Sequence, residues 1–153
     1  MPTTSRSTAL ETKAAAPPVM PMLAVPDVGA ATEFYKTLGF AVVQEIRDGT
    51  TLVRSILQLA GTTIHVAAAR ALPEEGDHGK AIERGPRGLG VVLYVPVADI
   101  EDAHRCVQRS GARIVQPLQD APWGDRFVSF VDPFGFDWCF ARLGPAMPQG
   151  VAR

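Results

Sequence analysis

The sequence predicts an α+β chain made of two tandem β-α-β-β-β modules, and three observations predict it. Val25, Asp27, Ala31, Gly39 and Val43 reappear as Val97, Asp99, Ala103, Gly111 and Val115, at a constant offset of 72 residues and without a gap across 19 positions. In each copy a strand-length apolar run ends at an aspartate and gives way to an apolar stripe at helical spacing. Each copy then closes in a pair of apolar runs separated by a turn. A recurrence of this size is one supersecondary unit used twice.

The elements follow in order. Residues 1–18 lack the apolar run of about 7–15 residues that a secretory signal needs and read as a disordered tail. The first strand is Met20 to Val25. Asp27 then stands as an N-cap, its carboxylate placed to accept free backbone N–H groups. Val28, Ala31, Phe34, Tyr35 and Leu38 make one stripe of the first helix, which Gly39 ends. An apolar stretch, Phe40 to Val43, leads to a hairpin in which Leu52 to Leu59 and Thr62 to Ala67 flank Ala60-Gly61. A two-residue turn pairs Leu59 with Thr62, Gln58 with Thr63, Leu57 with Ile64 and Ile56 with His65. Leu57, Leu59, Ile64 and Val66 then share an apolar face suited to the helix, and Arg54, Ile56, Gln58, Thr63, His65 and Ala67 share the other.

Residues 71–88 read as a charged, glycine-rich linker between module one (19–70) and module two (89–143). In the second module the strand Leu89 to Val95 is followed by the cap Asp99, a helix marked by Ile100, Ala103 and Val107, the terminator Gly111, and Ala112 to Val115. The last hairpin joins Arg126 to Val131 with Asp137 to Arg142 around Asp132-Pro133-Phe134-Gly135. Residues 144–153 read as a second tail.

Composition sets the class. With 153 residues, 46% hydrophobic and 20% charged, the chain suits one globular domain. Fifteen basic against 16 acidic residues leave no basic footprint for nucleic acid. No run approaches the 18 or so apolar residues of a membrane span, so no membrane partner is expected. Two cysteines, Cys106 and Cys139, without a CxxC pattern, fit a reducing cytoplasm. No GxGxxG, P-loop or GxSxG motif occurs. His104, beside the second helix stripe, and His78, in the linker, read as surface residues.

The repeat, with V-x-D closing its first strand, FY-x-x-LGF at Phe34 to Phe40 and WGDR...VDPFG-x-x-W from Trp123 to Trp138, resembles the vicinal oxygen chelate superfamily. This superfamily includes glyoxalase I, extradiol dioxygenases, and the fosfomycin- and bleomycin-resistance proteins. The resemblance covers Val19 to Leu143 and implies curled mixed sheets, one per module, that form a cleft. It also implies a divalent metal held by the first and last strands of each module. Carried over by spacing, those positions are Met20, His65, Val92 and Cys139, where the family has His or Gln, Glu, His or Gln, and Glu. The chain departs at all four. Met20 and Val92 offer nothing to a hard divalent ion, and the carboxylates for proton transfer are missing. No metal or other cofactor is therefore expected.

Several residues carry competing readings. His65 is either a hydrogen-bonded imidazole on a half-buried strand, a ligand-contacting or acid/base group beside Arg54, or a metal ligand. Cys139, opposite in facing to Trp138, is either a small buried filler or, with Met20 and His65, part of a soft metal site. Trp123 and Arg126 either meet a flat ligand at the cleft mouth or staple the loop, with Arg126 pairing Asp125 or Asp132. Met20, Met22, Ile56, Val92 and Tyr94 would make an apolar cleft lining, with Arg54, Gln58 and His65 as its polar groups.

The expected function is a metal-independent small-molecule binder of the bleomycin-resistance type, enclosing a partly aromatic or apolar drug or metabolite. By resemblance it would be a homodimer. The alternative is a metal-independent lyase, isomerase or cyclase in which His65 moves a proton and Arg54 stabilises developing negative charge. A third reading is a divalent-metal glyoxalase or dioxygenase-like enzyme with substituted ligands.

Overall fold

The computed structural model describes residues 19–71 and 76–145. The tail read at 1–18, residues 72–75 of the linker and 146–153 lie outside the described residues. Module one runs β1 (Met22–Val25), α1 (Val28–Thr37), β2 (Ala41–Asp48), β3 (Thr51–Leu59) and β4 (Thr62–Ala68). A helix α2 (Gly76–Arg84) precedes module two, which runs β5 (Val92–Pro96), α3 (Ile100–Ser110), β6 (Arg113–Asp120), β7 (Arg126–Val131) and β8 (Asp137–Arg142).

The two modules are built alike. Each makes a four-stranded mixed sheet, in the orders β1-β4-β3-β2 and β5-β8-β7-β6, with the first strand parallel to the last and the other pairings antiparallel. The β3–β4 register is the one the two-residue turn dictates: Leu59 faces Thr62 and Ile56 faces His65. Asp27 and Asp99 cap their helices, accepting from the N–H groups of Ala30 and Asp102 at 3.0 and 2.9 Å. Gly111 adopts the left-handed conformation, φ 77°, that ends α3.

Both first strands begin later than their apolar runs. Pro21 already lies beside β4, its carbonyl accepting from His65 N at 2.8 Å, but it has no N–H to give the ladder, so β1 starts at Met22. Gly88 and Gly90, at φ 75° and 82°, turn the chain before β5, which therefore starts at Val92 rather than Leu89. The segment read as a plain linker carries α2. Its composition hid it, because α2 has one large apolar residue, Ile82, and no stripe. The outer strands are also longer than their apolar stretches. Apart from Ile46 and Leu118 their remaining residues are polar or proline, as suits the sheet edges β2 and β6, and Pro117 sits in β6 where no partner needs its N–H.

The helix-side faces of both sheets feed one core. Leu57, Ile64 and Val66 of the first sheet, Val128, Phe130, Trp138 and Phe140 of the second, and Tyr35 and Leu38 of α1 and its end are all buried in it. Within it Tyr35 stands 5.5 Å from Trp138 and 6.0 Å from Phe134 between ring centroids. Asp132, itself buried, binds this junction. Its Oδ2 accepts from Tyr35 Oη at 2.7 Å and Trp138 Nε1 at 2.8 Å, while Oδ1 accepts from the N–H groups of Phe134 and Phe136 at 2.8 and 3.0 Å. Burial first, then the Asp132 charge, holds the Tyr35 hydroxyl firmly protonated, its pKa raised far above normal.

Removing this acceptor strands several buried donors at once. Asp132→Ala should lower unfolding free energy by about 3–5 kcal/mol, and Tyr35→Phe by about 1–2 kcal/mol. Urea titration read by tryptophan fluorescence and circular dichroism checks both values, and equal small losses would contradict the assignment.

Candidate functional site

What remains outside the core is the opposite face of each sheet. Strand alternation and register set its composition. On the first sheet Met22, His65, Ile56 and Gln44 form one row across the four strands, and Ala24, Ala67, Arg54 and Ile46 form the next. On the second sheet the matching row is Tyr94, Cys139, Ser129 and Gln116. Both faces are partly open among the described residues: Met22 is 45% exposed and Tyr94 44%.

His65 and Arg54 converge. They are diagonal neighbours on adjacent strands of the open face, since His65 pairs Ile56 and Arg54 pairs Ala67. Burial first, and the Arg54 charge second, hold the His65 imidazole below its usual pKa, so it is neutral near pH 7. Its Nδ1 is buried without a hydrogen-bond partner among the described residues. An orphaned lone pair is tolerated better than an orphaned N–H, so the neutral ring keeps its proton on Nε2.

The second sheet presents a different surface. Tyr94 Oη donates to Asp125 Oδ2 at 2.6 Å, Trp123 Nε1 donates to the same oxygen at 3.1 Å, and Gly144 N donates to Oδ1 at 2.8 Å. The bonds from Tyr94 and Gly144 depress the Asp125 pKa, whereas burial and the Asp125 bond push Tyr94 up to about 12. Trp123, half exposed, stacks on Phe127 at 6.2 Å and 18°. The result is a fixed aromatic platform. Beneath it Cys139 is buried with Ala121, Phe127 and Ala141, and burial pushes its thiol pKa up, away from the reactive thiolate.

Some sequence-derived residues fall elsewhere. Met20 precedes β1, and Met22 is the residue in register with His65; likewise Val92 is in register with Asp137, while Tyr94 is in register with Cys139. Arg126 alternates with Phe127 onto the helix side, where Nε meets Glu101 at 2.8 Å and Nη1 meets Asp120 at 3.1 Å. It therefore staples β7 to α3, and its partners are not Asp125 or Asp132, which other donors occupy. Gln58 stands on the open face, its amide 3.4 Å from Thr63 Oγ1. Gln44, Gln116 and Ser129 were not anticipated, and Asp125 was read only as a candidate partner of Arg126. Extending the offset of 72 by one residue past Val43 and Val115 would have paired Gln44 with Gln116.

The sequence profile of the Glyoxalase/Bleomycin resistance protein/Dioxygenase superfamily matches residues 18–140. The chain belongs to this superfamily. Uncharacterised proteins of Mycobacterium bovis and Mycobacterium tuberculosis are each 29% identical over 130 residues, covering 82% of this chain and 83% and 74% of their own lengths. TioX from Micromonospora sp. ML1 is 26% identical with a TM-score of 0.63, over 84% of this chain and 98% of its own. The bleomycin resistance determinant encoded on transposon Tn5 is 21% identical with a TM-score of 0.59, over 83% and 98%, a likeness of fold.

The divalent metal familiar in this superfamily does not fit the residues present. Met20 and Val92 supply no hard oxygen donor, nor do Met22 and Cys139; the Tyr94 hydroxyl, in register with Cys139, is engaged by Asp125, and the Arg54 cation lies beside His65, the remaining candidate. Among the described residues no three His, Cys, Asp or Glu side chains are grouped to hold an ion, and His65 and Cys139 belong to different sheets. No described helix is long and apolar enough to cross a membrane.

The Arg54 contribution to His65 can be measured. Arg54→Met should raise the His65 pKa while burial keeps it below about 6.5, as read from the imidazole proton shifts in an NMR titration. An unchanged pKa would place Arg54 out of reach of the ring.

Proposed function

We propose that this superfamily member binds and sequesters a small, partly aromatic or apolar molecule on its open sheet faces, without a metal and without transforming it. The observation that carries the reading is the state of His65. Its Nδ1 is buried without a partner among the described residues, so no carboxylate orients the ring or raises its basicity as the base of a lyase, isomerase or cyclase would need. Beside it stand Met22 and Ile56, and on the other sheet the Trp123, Phe127 and Tyr94 platform. Apolar and aromatic surface with a few directional polar groups is the usual make-up of a ligand site.

Members of the superfamily bind small molecules and often dimerise. For this chain a homodimer is supported by the partly open faces and by β2, an edge strand exposed along its whole length and carrying Val42, Val43 and Ile46. A second copy would cover surface that one chain leaves in water.

Native mass spectrometry after incubation with a small-molecule extract of the producing cells tests the binding reading. A retained, chemically unaltered compound is expected, and a converted one would overturn sequestration. Light scattering on the eluted protein should give twice 16.4 kDa; a monomer would refute the dimer.

A further inference from the structure

We propose that the open face of module one is built for a small apolar carboxylate, its anionic head on Arg54 and His65 and its hydrocarbon or aryl body in the cavity beneath α2. The inference deepens the binding function proposed above and rests on it.

The head-group end consists of donors. Arg54 is half-buried and makes no hydrogen bond or ion pair among the described residues, whereas Arg47, Arg105 and Arg126 each pair with a carboxylate. Leaving a guanidinium partly desolvated and unpaired is costly, and a planar carboxylate matches its fork. His65, the diagonal neighbour, adds an N–H and no competing charge. The residues that share their face, including Gln44, Gln58 and Thr63, include no Asp or Glu. Net charge near zero for the whole chain conceals this local imbalance.

The body end is a cavity of about 460 Å³ between Met22 and Ala24 of β1, His78, Ala81 and Ile82 of α2, and Phe136 of module two. A space of this size suits a ligand of one or two rings. The two ends share one sheet face. Met22 is in register with His65, and the row from α2 to Arg54 passes over Ala24 and Ala67. Both are alanines, the shortest side chains this row could carry between the guanidinium and the cavity. Two inter-strand spacings separate Arg54 from Ala24, about 10 Å at the backbone, a span that a naphthyl acid covers. Arg87 also lines the cavity; its Nη2 donates to the Glu83 carbonyl at the end of α2, while its Nε is buried without a partner among the described residues, which makes it the rival head-group donor.

Calorimetric titration of the full chain with 1-naphthylacetate and with its neutral analogue 2-(1-naphthyl)ethanol tests the proposal. The acid should bind at least about 10-fold more tightly than the alcohol, as expected for one charge-assisted pair. Arg54→Met should erase that preference and leave the alcohol's affinity in place. Ile82→Asp should weaken both probes, with circular dichroism confirming that each variant is folded. Equal affinities in the native protein would overturn the carboxylate class while leaving small-molecule binding intact. Loss of the preference in Arg87→Met instead of Arg54→Met would overturn the placement of the head group. Failure of both probes to bind at millimolar concentration would overturn the proposal, and an empty protein after extract incubation as well would remove the binding reading beneath it.

Discussion

The fold depends on a single buried carboxylate. Asp132 sits in the D-P-F-G turn of the last hairpin, yet its four short hydrogen bonds reach in two directions. Two hold its own turn closed. The others take the indole of Trp138 on β8 and the phenol of Tyr35 on α1, so a module-two turn fixes a module-one helix. A carboxylate suits this role because it only accepts, and every group aimed at it only needs to donate. Its charge is compensated by oriented N–H and O–H dipoles rather than by an arginine, which leaves the surrounding aromatic packing unbroken. Because α1 carries the first sheet with it, through Leu57, Ile64 and Val66, this anchor sets where the two open faces lie.

Those faces have diverged in chemistry on a shared frame. The rows Met22–His65–Ile56–Gln44 and Tyr94–Cys139–Ser129–Gln116 occupy equivalent positions, and glutamine is kept at the outer strand of both. At the equivalent positions the first sheet carries an imidazole, the second a buried thiol whose pKa is raised. The first gathers donors around Arg54. The second gathers π surface held in place by Asp125. A ligand touching both would meet a polar clasp on one side and a flat aromatic wall on the other.

Much of this was legible before any coordinates. The offset repeat, the two aspartate caps and the two-residue turn fix backbone geometry through local chemistry, so elements, β3–β4 register and the facing of His65, Ile56 and Arg54 follow from residues close in sequence. The mixed sheets, one per module, came with the superfamily resemblance, but their strand orders did not. What the sequence hid depends on contacts distant along the chain. Asp132 reads as an ordinary turn residue until Tyr35, 97 positions away, is placed beside it. Arg126 looked free for a ligand because Glu101 lies on another element. Met20 looked like a strand residue because apolar runs do not reveal where a proline denies the ladder its N–H. Helix α2 has no apolar stripe to announce it, since it lies on the rim of a cavity rather than on the core.

Gly88 gives that rim a mechanical meaning. A Cβ there would fall 2.6 Å from the Gly135 carbonyl oxygen and 2.9 Å from Phe136 Cα, so the segment leaving α2 is pressed directly on the hairpin that Asp132 closes. The floor of the cavity, Met22 and Ala24, belongs to module one, while Phe136 in its wall belongs to module two. Its volume therefore depends on how the two modules are set against each other, and whatever fills the space under α2 braces one module against the other.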